Sequence, residues 1–241
     1  SSKPTITKEI EAEKLWNLIV ESATKTAEPG LMMWDNIVNN LPAESYADVG
    51  FKTITTNPCG EIPLSAYDSC RLISINLKNL VKNPFKKPKF DFDKLYDVAC
   101  KAMRMSDDLV ELEIEKLENI IKACDTKDER QLWKSLLKAC EDGRRTGLGT
   151  HGLADAIARY DSDEATKVIE KIYETLRNAA YTESVSLAIE RGPFKVFDWE
   201  KEKDNEYIKR LPKKILESIE KFGRRNISIL TNAPTGSVSI M

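Results

Sequence analysis

A chain of 241 residues is long enough to bury a sizeable core without staples, and its length fits one or two domains. Its 37 basic and 39 acidic residues give a net charge of −2, which removes the basic excess expected of a nucleic-acid binder. No run approaches the roughly 18 apolar residues of a membrane span, and SSKPTITKEIEAEK lacks the apolar region of a signal peptide. The five cysteines (59, 70, 100, 124 and 140) are odd in number and irregularly spaced. They read as reduced thiols of a cytoplasmic protein. One histidine and no CxxC pair argue against a structural zinc, and no metal is expected.

Most of the chain has helical periodicity. Residues 8–27 place Leu15, Leu18 and Ile19 at helical spacing before Pro29-Gly30 ends the run. LMMWDNIVNNL (31–41) predicts a short helix closed before Pro42. Lys52–Thr56 and Leu72–Leu77 carry β-branched residues in partial alternation and predict short strands. Residues 90–124 predict a long helix, broken near Ser106-Asp107-Asp108, with Leu95, Val98, Ala102 and Met103 as its apolar stripe. Residues 125–143 give another helix. In 161–191, Asp161 and Glu164 have capping-box spacing and Gly192-Pro193 stop the helix; Val168, Ile169, Ile172, Leu176 and Ala180 line its buried face. Pro212 suits the first turn of a helix running to Phe222. Asn226–Leu230 predicts a third strand. Helices outnumber strands, and the strands lead into loops, which suggests α/β layering.

Four segments can carry chemistry. In Asn57-Pro58-Cys59-Gly60-Glu61, an amide, a thiol and a carboxylate are spaced by two. In extended chain such side chains leave one face, with Cα atoms about 6–7 Å apart. Pro58 fixes its φ and Gly60 can take a positive φ, so the pair permits a rigid bend. The trio offers a hydrogen-bonding amide, a sulfur able to give up a proton or a hydrogen atom, and a general base. A turn with a buried structural cysteine explains the same spacing, and both readings stay open at this point. Cys70 lies 11 residues after Cys59, near enough to return along a neighbouring strand. It also reads as an ordinary buried thiol. In Ile229–Ser239 an apolar strand runs into a loop, with Pro234, Thr235, Gly236, Ser237 and Val238, that offers backbone N–H groups and hydroxyls to an anion if a helix follows it. An ordinary turn is the bland alternative. Finally, Gly147-Leu148-Gly149-Thr150-His151-Gly152 spells GxGxxG, but a dinucleotide site needs a strand directly before it. Here helix and charged turn precede it, so the glycines read as letting one helix approach another. A nicotinamide-dependent oxidoreductase is kept only as a remote alternative.

Taken together, NPCGEIPLSAYDSCRLISINL (57–77), RRTGLGTHGLADA (144–156) and NAPTGSVSI (232–240) resemble, in that order, motifs of ribonucleotide reductase catalytic subunits. The resemblance covers essentially the whole chain. The Pro-Cys-Gly form looks like the adenosylcobalamin-dependent class. The resemblance implies a helix-rich central portion, residues 1–241, of a ten-stranded α/β barrel with a finger loop through its centre. It implies that Cys59 is the thiyl radical at the finger tip, that Glu61 deprotonates the 3′ hydroxyl and that Asn57 holds the ribose hydroxyls. Cys70 would be one of two thiols that become a disulfide, its partner lying before Ser1 in the family. Residues 234–238 would hold the phosphates of a ribonucleoside di- or triphosphate. Implied partners are a thioredoxin- or glutaredoxin-like reductant and flanking reductase segments or subunits, with neither nucleic acid nor membrane. A thiyl radical further demands a dry, enclosed site. The family's complete enzymes are several hundred residues longer, so the chain alone is expected to lack turnover; a non-catalytic module that depends on other chains is the competing reading.

Overall fold

The computed structural model describes residues 6–240, and the chain divides between Asp35 and Asn36 into two units. In the first, helix α1 (Ala12–Thr26) stops where Ala27 enters the left-handed region and returns its N–H to the Ala23 carbonyl. Leu15 and Leu18 sit at helical spacing as expected, yet they are 44% and 62% exposed, and no residue of α1 is buried. Helix α2 (Trp34–Asn40) follows in sequence.

The second unit begins within α2, at Asn36, and continues with a 3-10 segment, Pro42–Val49, and a short antiparallel hairpin. Strand β1 (Thr55–Thr56) pairs with β2 (Pro63–Leu64). Strand β3 (Arg71–Asn76) comes next, then a minor ribbon of β4 (Val81–Lys82) and β5 (Lys89–Phe90). Helix α3 (Phe92–Ala123) starts at Asp91, whose carboxylate accepts from the Lys94 N–H; helix α4 (Lys127–Gly143) starts at Thr126, whose hydroxyl accepts from the Glu129 N–H. Strand β6 (Thr146–His151) leads into the five-residue helix α5 (Leu153–Ile157). Helix α6 (Ser162–Arg191) has the expected Asp161 cap, 2.8 Å from the Glu164 nitrogen. A single turn, α7 (Trp199–Glu202), and α8 (Lys213–Phe222) complete the helices.

The expected break in α3 does not occur. Serine and aspartate disfavour helix interiors because they compete for the backbone. Here Ser106 donates back to the Ala102 carbonyl at 3.0 Å, and Asp107 is fully buried among distant donors. Both polar groups therefore point inward with partners, and the helix runs through them. Leu95, Ala99, Ala102 and Met103 of α3 share one core with Ile172, Leu176, Ala179 and Ala180 of α6. Small residues on the facing sides let the two helices approach. Each buried Leu or Ile contributes about 1.5–3 kcal/mol to that core.

The glycine-rich segment also departs from expectation. Residues 146–151 are a strand, not part of a helix–helix contact. Strand β6 runs parallel to β3, with Arg71 opposite Thr146 and Asn76 opposite His151. On its other side lies the segment expected to be a third strand: Thr146 N–H donates to the Ser228 carbonyl, Leu148 N–H to Ile229, and Thr231 N–H back to Leu148. Only Leu148 and Leu230 meet as a regular parallel bridge. Flanked on both edges, β6 is buried at five of its six positions, as a central parallel strand should be. Its glycines serve close approach: a Cβ on Gly149 would collide with the Thr231 carbonyl oxygen. With glycines inside the strand rather than in a turn opening a long helix, the phosphate-cradling geometry of a dinucleotide site is missing. His151 ends the strand and bonds Ser74 of β3 at 2.8 Å, a structural role.

Candidate active site

The residues Asn57 to Glu61 do not form the extended stretch that spacing suggested. They make the tip of the β1–β2 hairpin. Gly60 has φ of +81° and its N–H bonds the Asn57 carbonyl at 3.0 Å; Asn57 N–H donates to the Ile62 carbonyl. Asn-Pro-Cys-Gly is the residue order that favours a tight turn of this kind. The Asn57 side chain helps to close it, its Oδ1 accepting from the Ile62 N–H at 3.0 Å. The Asn57 amide nitrogen carries no hydrogen bond among the described residues, so it remains the donor available to a ligand.

Cys59 is exposed at this tip. The enclosed position expected of it is not provided by residues 6–240: the hairpin is only two residues per strand, and nothing described closes over its end. Glu61 is half-buried, and its Oε2 is buried with no hydrogen-bond partner among the described residues. An orphaned carboxylate oxygen is uncommon in a folded protein and marks a group awaiting a partner.

Cys70 lies one residue before β3, and its environment is more restrictive. Burial pushes its thiol up to about 11; the Arg145 and Arg71 guanidinium groups pull the other way, while the Asp68 and Glu61 carboxylates add to the rise. Its sulfur fills the space that a side chain on Gly147 would need, 2.6 Å from the position of such a Cβ. The approach to Cys70 is clamped by buried ion pairs. Arg145 Nε meets Asp68 at 2.6 Å, both side chains almost fully buried. Arg71 Nε meets Glu113 at 2.6 Å, and its Nη1 donates to the Arg145 carbonyl. The Arg71 Nη2 contacts the buried Cys140 sulfur at 2.8 Å. Cys124 is likewise a buried thiol and Cys100 a half-buried one.

The loop containing residues 234–238 emerges just beyond β6. Thr235 takes φ of +55°, and a 3-10 turn follows at Val238–Ile240. Ser239 N–H bonds the Thr235 carbonyl. The loop's root is joined to the hairpin: the Thr231 hydroxyl donates to the Glu61 carbonyl at 2.7 Å. Next to it, Asn232 Oδ1 accepts from the Thr150 N–H at 3.0 Å. The hairpin, Cys70 and the loop therefore converge at the β6 glycines. A cavity of about 740 Å³ opens beside them, bordered by Pro63, Thr231, Asn232, Tyr173 and Arg177; none of Asn57, Cys59, Glu61 and Cys70 lines it.

Sequence reasoning missed Thr231 and Asn232 as anchors, and the buried cluster around Asp107. The Asp107 Oδ1 accepts from Arg144 Nε and Nη2 and from the Asn226 amide, and its Oδ2 from Arg191 and Arg225 at 3.2 and 3.3 Å. The only available signal was four arginines at 144, 145, 224 and 225 in a chain whose other basic residues are mostly on helix surfaces.

The parallel β3–β6 pair thus brings together a cysteine-bearing hairpin and a hydroxyl-rich loop rooted beside it. Comparison with known proteins is specific. Residues 1–241 match the family described as ribonucleotide reductase, barrel domain, and the chain belongs to that family. It is 33% identical to a vitamin B12-dependent ribonucleoside-diphosphate reductase of Thermoplasma acidophilum, over 98% of this chain and 26% of that protein. It is 31% identical to the enzyme of the same description from Mycobacterium tuberculosis, over 95% of this chain and 28% of that one. The fold is similar to that of the class Id ribonucleotide reductase alpha subunit of Actinobacillus ureae, with a TM-score of 0.60, 22% identity, and coverage of 94% of this chain and 37% of that chain. The chain thus spans about a quarter of the length of the curated relatives it matches. Among the described residues no helix is long and apolar enough to cross a membrane.

Proposed function

We propose that this chain is the central part of the barrel of a cytoplasmic ribonucleoside-diphosphate reductase, and that it carries the reacting groups of 2′-deoxyribonucleotide formation. The observation that carries this reading is the orphaned Glu61 oxygen, on a hairpin that exposes Cys59 two residues away and close enough to the half-buried Cys70 for its charge to raise that thiol. In the reaction, the Cys59 sulfur radical takes the 3′ hydrogen atom from the ribose. Glu61 accepts the proton of the 3′ hydroxyl through its unpartnered oxygen, and the Asn57 amide N–H positions a ribose hydroxyl. The 2′ hydroxyl leaves as water. One proton from Cys70 and a second thiol leaves in that water, their other proton and two electrons make the new C2′–H bond, and the two sulfurs become a disulfide; Glu61 returns its proton to the 3′ oxygen and Cys59 returns the 3′ hydrogen. A dithiol protein of the thioredoxin or glutaredoxin kind restores the pair. The substrate phosphates sit on the 234–238 loop.

Adenosylcobalamin, when bound, supplies the one-electron chemistry that removes the hydrogen atom from the Cys59 thiol. The hairpin fits that requirement, since Cys59 is exposed at the tip and open to a bulky group. The same exposure favours dependence on other segments: a radical at an open tip would be quenched, and β3 has a partner strand on one side only among the described residues. The chain by itself is therefore expected to give no turnover.

The test is Cys59→Ser in the intact protein, assayed with ribonucleoside diphosphate, adenosylcobalamin and a dithiol. Product formation should vanish while thermal unfolding stays close to that of the parent. Normal turnover by the variant would remove Cys59 from the mechanism. Sustained turnover by residues 1–241 alone would overturn the dependence on flanking segments.

A further inference from the structure

Thr231 occupies an unusual position for a residue outside the chemistry. Its N–H bonds the Leu148 carbonyl of β6, which fixes its backbone to the layer. Its hydroxyl reaches the Glu61 carbonyl at 2.7 Å, a link across 170 positions of sequence. Its methyl enters the gap left by Gly147, 2.7 Å from where a Cβ there would lie, and the Cys70 sulfur fills the same gap at 2.6 Å. Few side chains can do all of this. Serine lacks the methyl, valine lacks the hydroxyl, and larger residues do not fit beside Gly147.

We propose that Thr231 is a positioning residue, which sets the hairpin bearing Cys59 and Glu61 at a fixed height above Cys70 through one hydrogen bond to the Glu61 carbonyl and one methyl seated on Gly147. The inference rests on the reductase reading for its purpose, but not for its geometry. The hairpin has only two paired residues per strand, and a ribbon that short is marginal without outside support. The Thr231 hydroxyl supplies a support at the base of the tip. Gly147 completes the device by leaving room for both the methyl and the sulfur. Because Thr231 also roots the loop that carries residues 234–238, one side chain ties the radical hairpin, the reducing thiol and the anion loop to a common reference.

Hydrogen exchange in the intact protein tests the hydroxyl without relying on turnover. In Thr231→Val, which keeps the branched shape, the Asn57, Gly60 and Ile62 amides should exchange about five- to tenfold faster, the equivalent of one ordinary hydrogen bond. The Leu148 amide in β6 should not change. Thr231→Ser should restore slow exchange in the hairpin. The methyl is tested by Thr231→Ser in the reduced protein, where the gap opened beside Gly147 should raise the Cys70 alkylation rate relative to Cys100 severalfold; an unchanged rate removes the methyl from the device. Under the reductase reading, Thr231→Val also lowers kcat with little change in KM. Unaltered hairpin exchange in Thr231→Val, or a serine variant as loose as the valine one, overturns the proposal. If exchange behaves as described while the parent protein reduces no nucleotide, the positioning role stands and the functional reading falls.

Discussion

Asp107 and Glu61 carry the same functional group in opposite circumstances. Asp107 is wholly buried in the middle of α3, and both its oxygens are saturated by three arginines and an asparagine. Glu61 sits on a short hairpin with one oxygen buried and unpaired. The first arrangement is a lock: it joins α3, the α4–β6 junction, the end of α6 and residues 225–226, and it has no capacity left for a ligand. The second holds a group in place by its backbone and leaves the carboxylate free to act. A saturated carboxylate has only a scaffold role left to it, whereas one with an unpaired buried oxygen keeps the capacity that the role proposed for Glu61 requires.

The largest expected effect comes from undoing the lock. Asp107→Ala strands buried guanidinium groups and should cost about 3–5 kcal/mol in denaturant unfolding of the intact protein. A loss below about 1 kcal/mol would show that the arginines find other partners and that the contrast with Glu61 is overstated. An intermediate effect should appear with pH. Burial first, together with nearby carboxylates, pushes the thiols of Cys70, Cys100 and Cys140 up to about 11 from an ordinary value of 9.0. As pH rises past 9 the unfolded chain releases these protons before the folded one does, so stability is full below 9 and declines toward 11. The denaturation midpoint should fall across that window, and substituting Cys140 by Ala should flatten the fall. A midpoint that is level from 9 to 11 would mean that these thiols are hydrated. The smallest effect on stability is expected at Glu61. Glu61→Gln removes a charge whose Oε2 has no partner, so stability should change by no more than about 1 kcal/mol while turnover is lost. A large destabilisation would assign Glu61 to the scaffold after all.

Much of the helical framework was legible in the sequence because it is written in local terms. Asp161, Pro212 and the apolar spacing of 168–180 specify α6 and α8 within a residue or two. The errors have a common cause in partners far along the chain. Ser106-Asp107 reads as a helix break by propensity, yet Asp107 is stabilised by residues 37 to 119 positions away. Gly147 and Gly149 read as helix-packing glycines, since their reason lies in Thr231 on a neighbouring segment. At the site, the residue types and order of 57–61 were readable, as was the need for Gly60 at positive φ. The bend that Pro58 and Gly60 permit was readable too, whereas the link from Thr231 to Glu61 was not, because it depends on how two distant segments meet.

The pairing of β3 with β6 carries a consequence for which length changes the gene can tolerate. Gly147 and Gly149 share one side of the strand, and Leu148 points into the opposite core. A single codon gained or lost within 146–151 would exchange those sides and drive a leucine into the slot reserved for hydrogen atoms. Frame-preserving insertions and deletions should therefore be purged there in natural variants, yet accumulate freely in the exposed connection around Asp125 between α3 and α4.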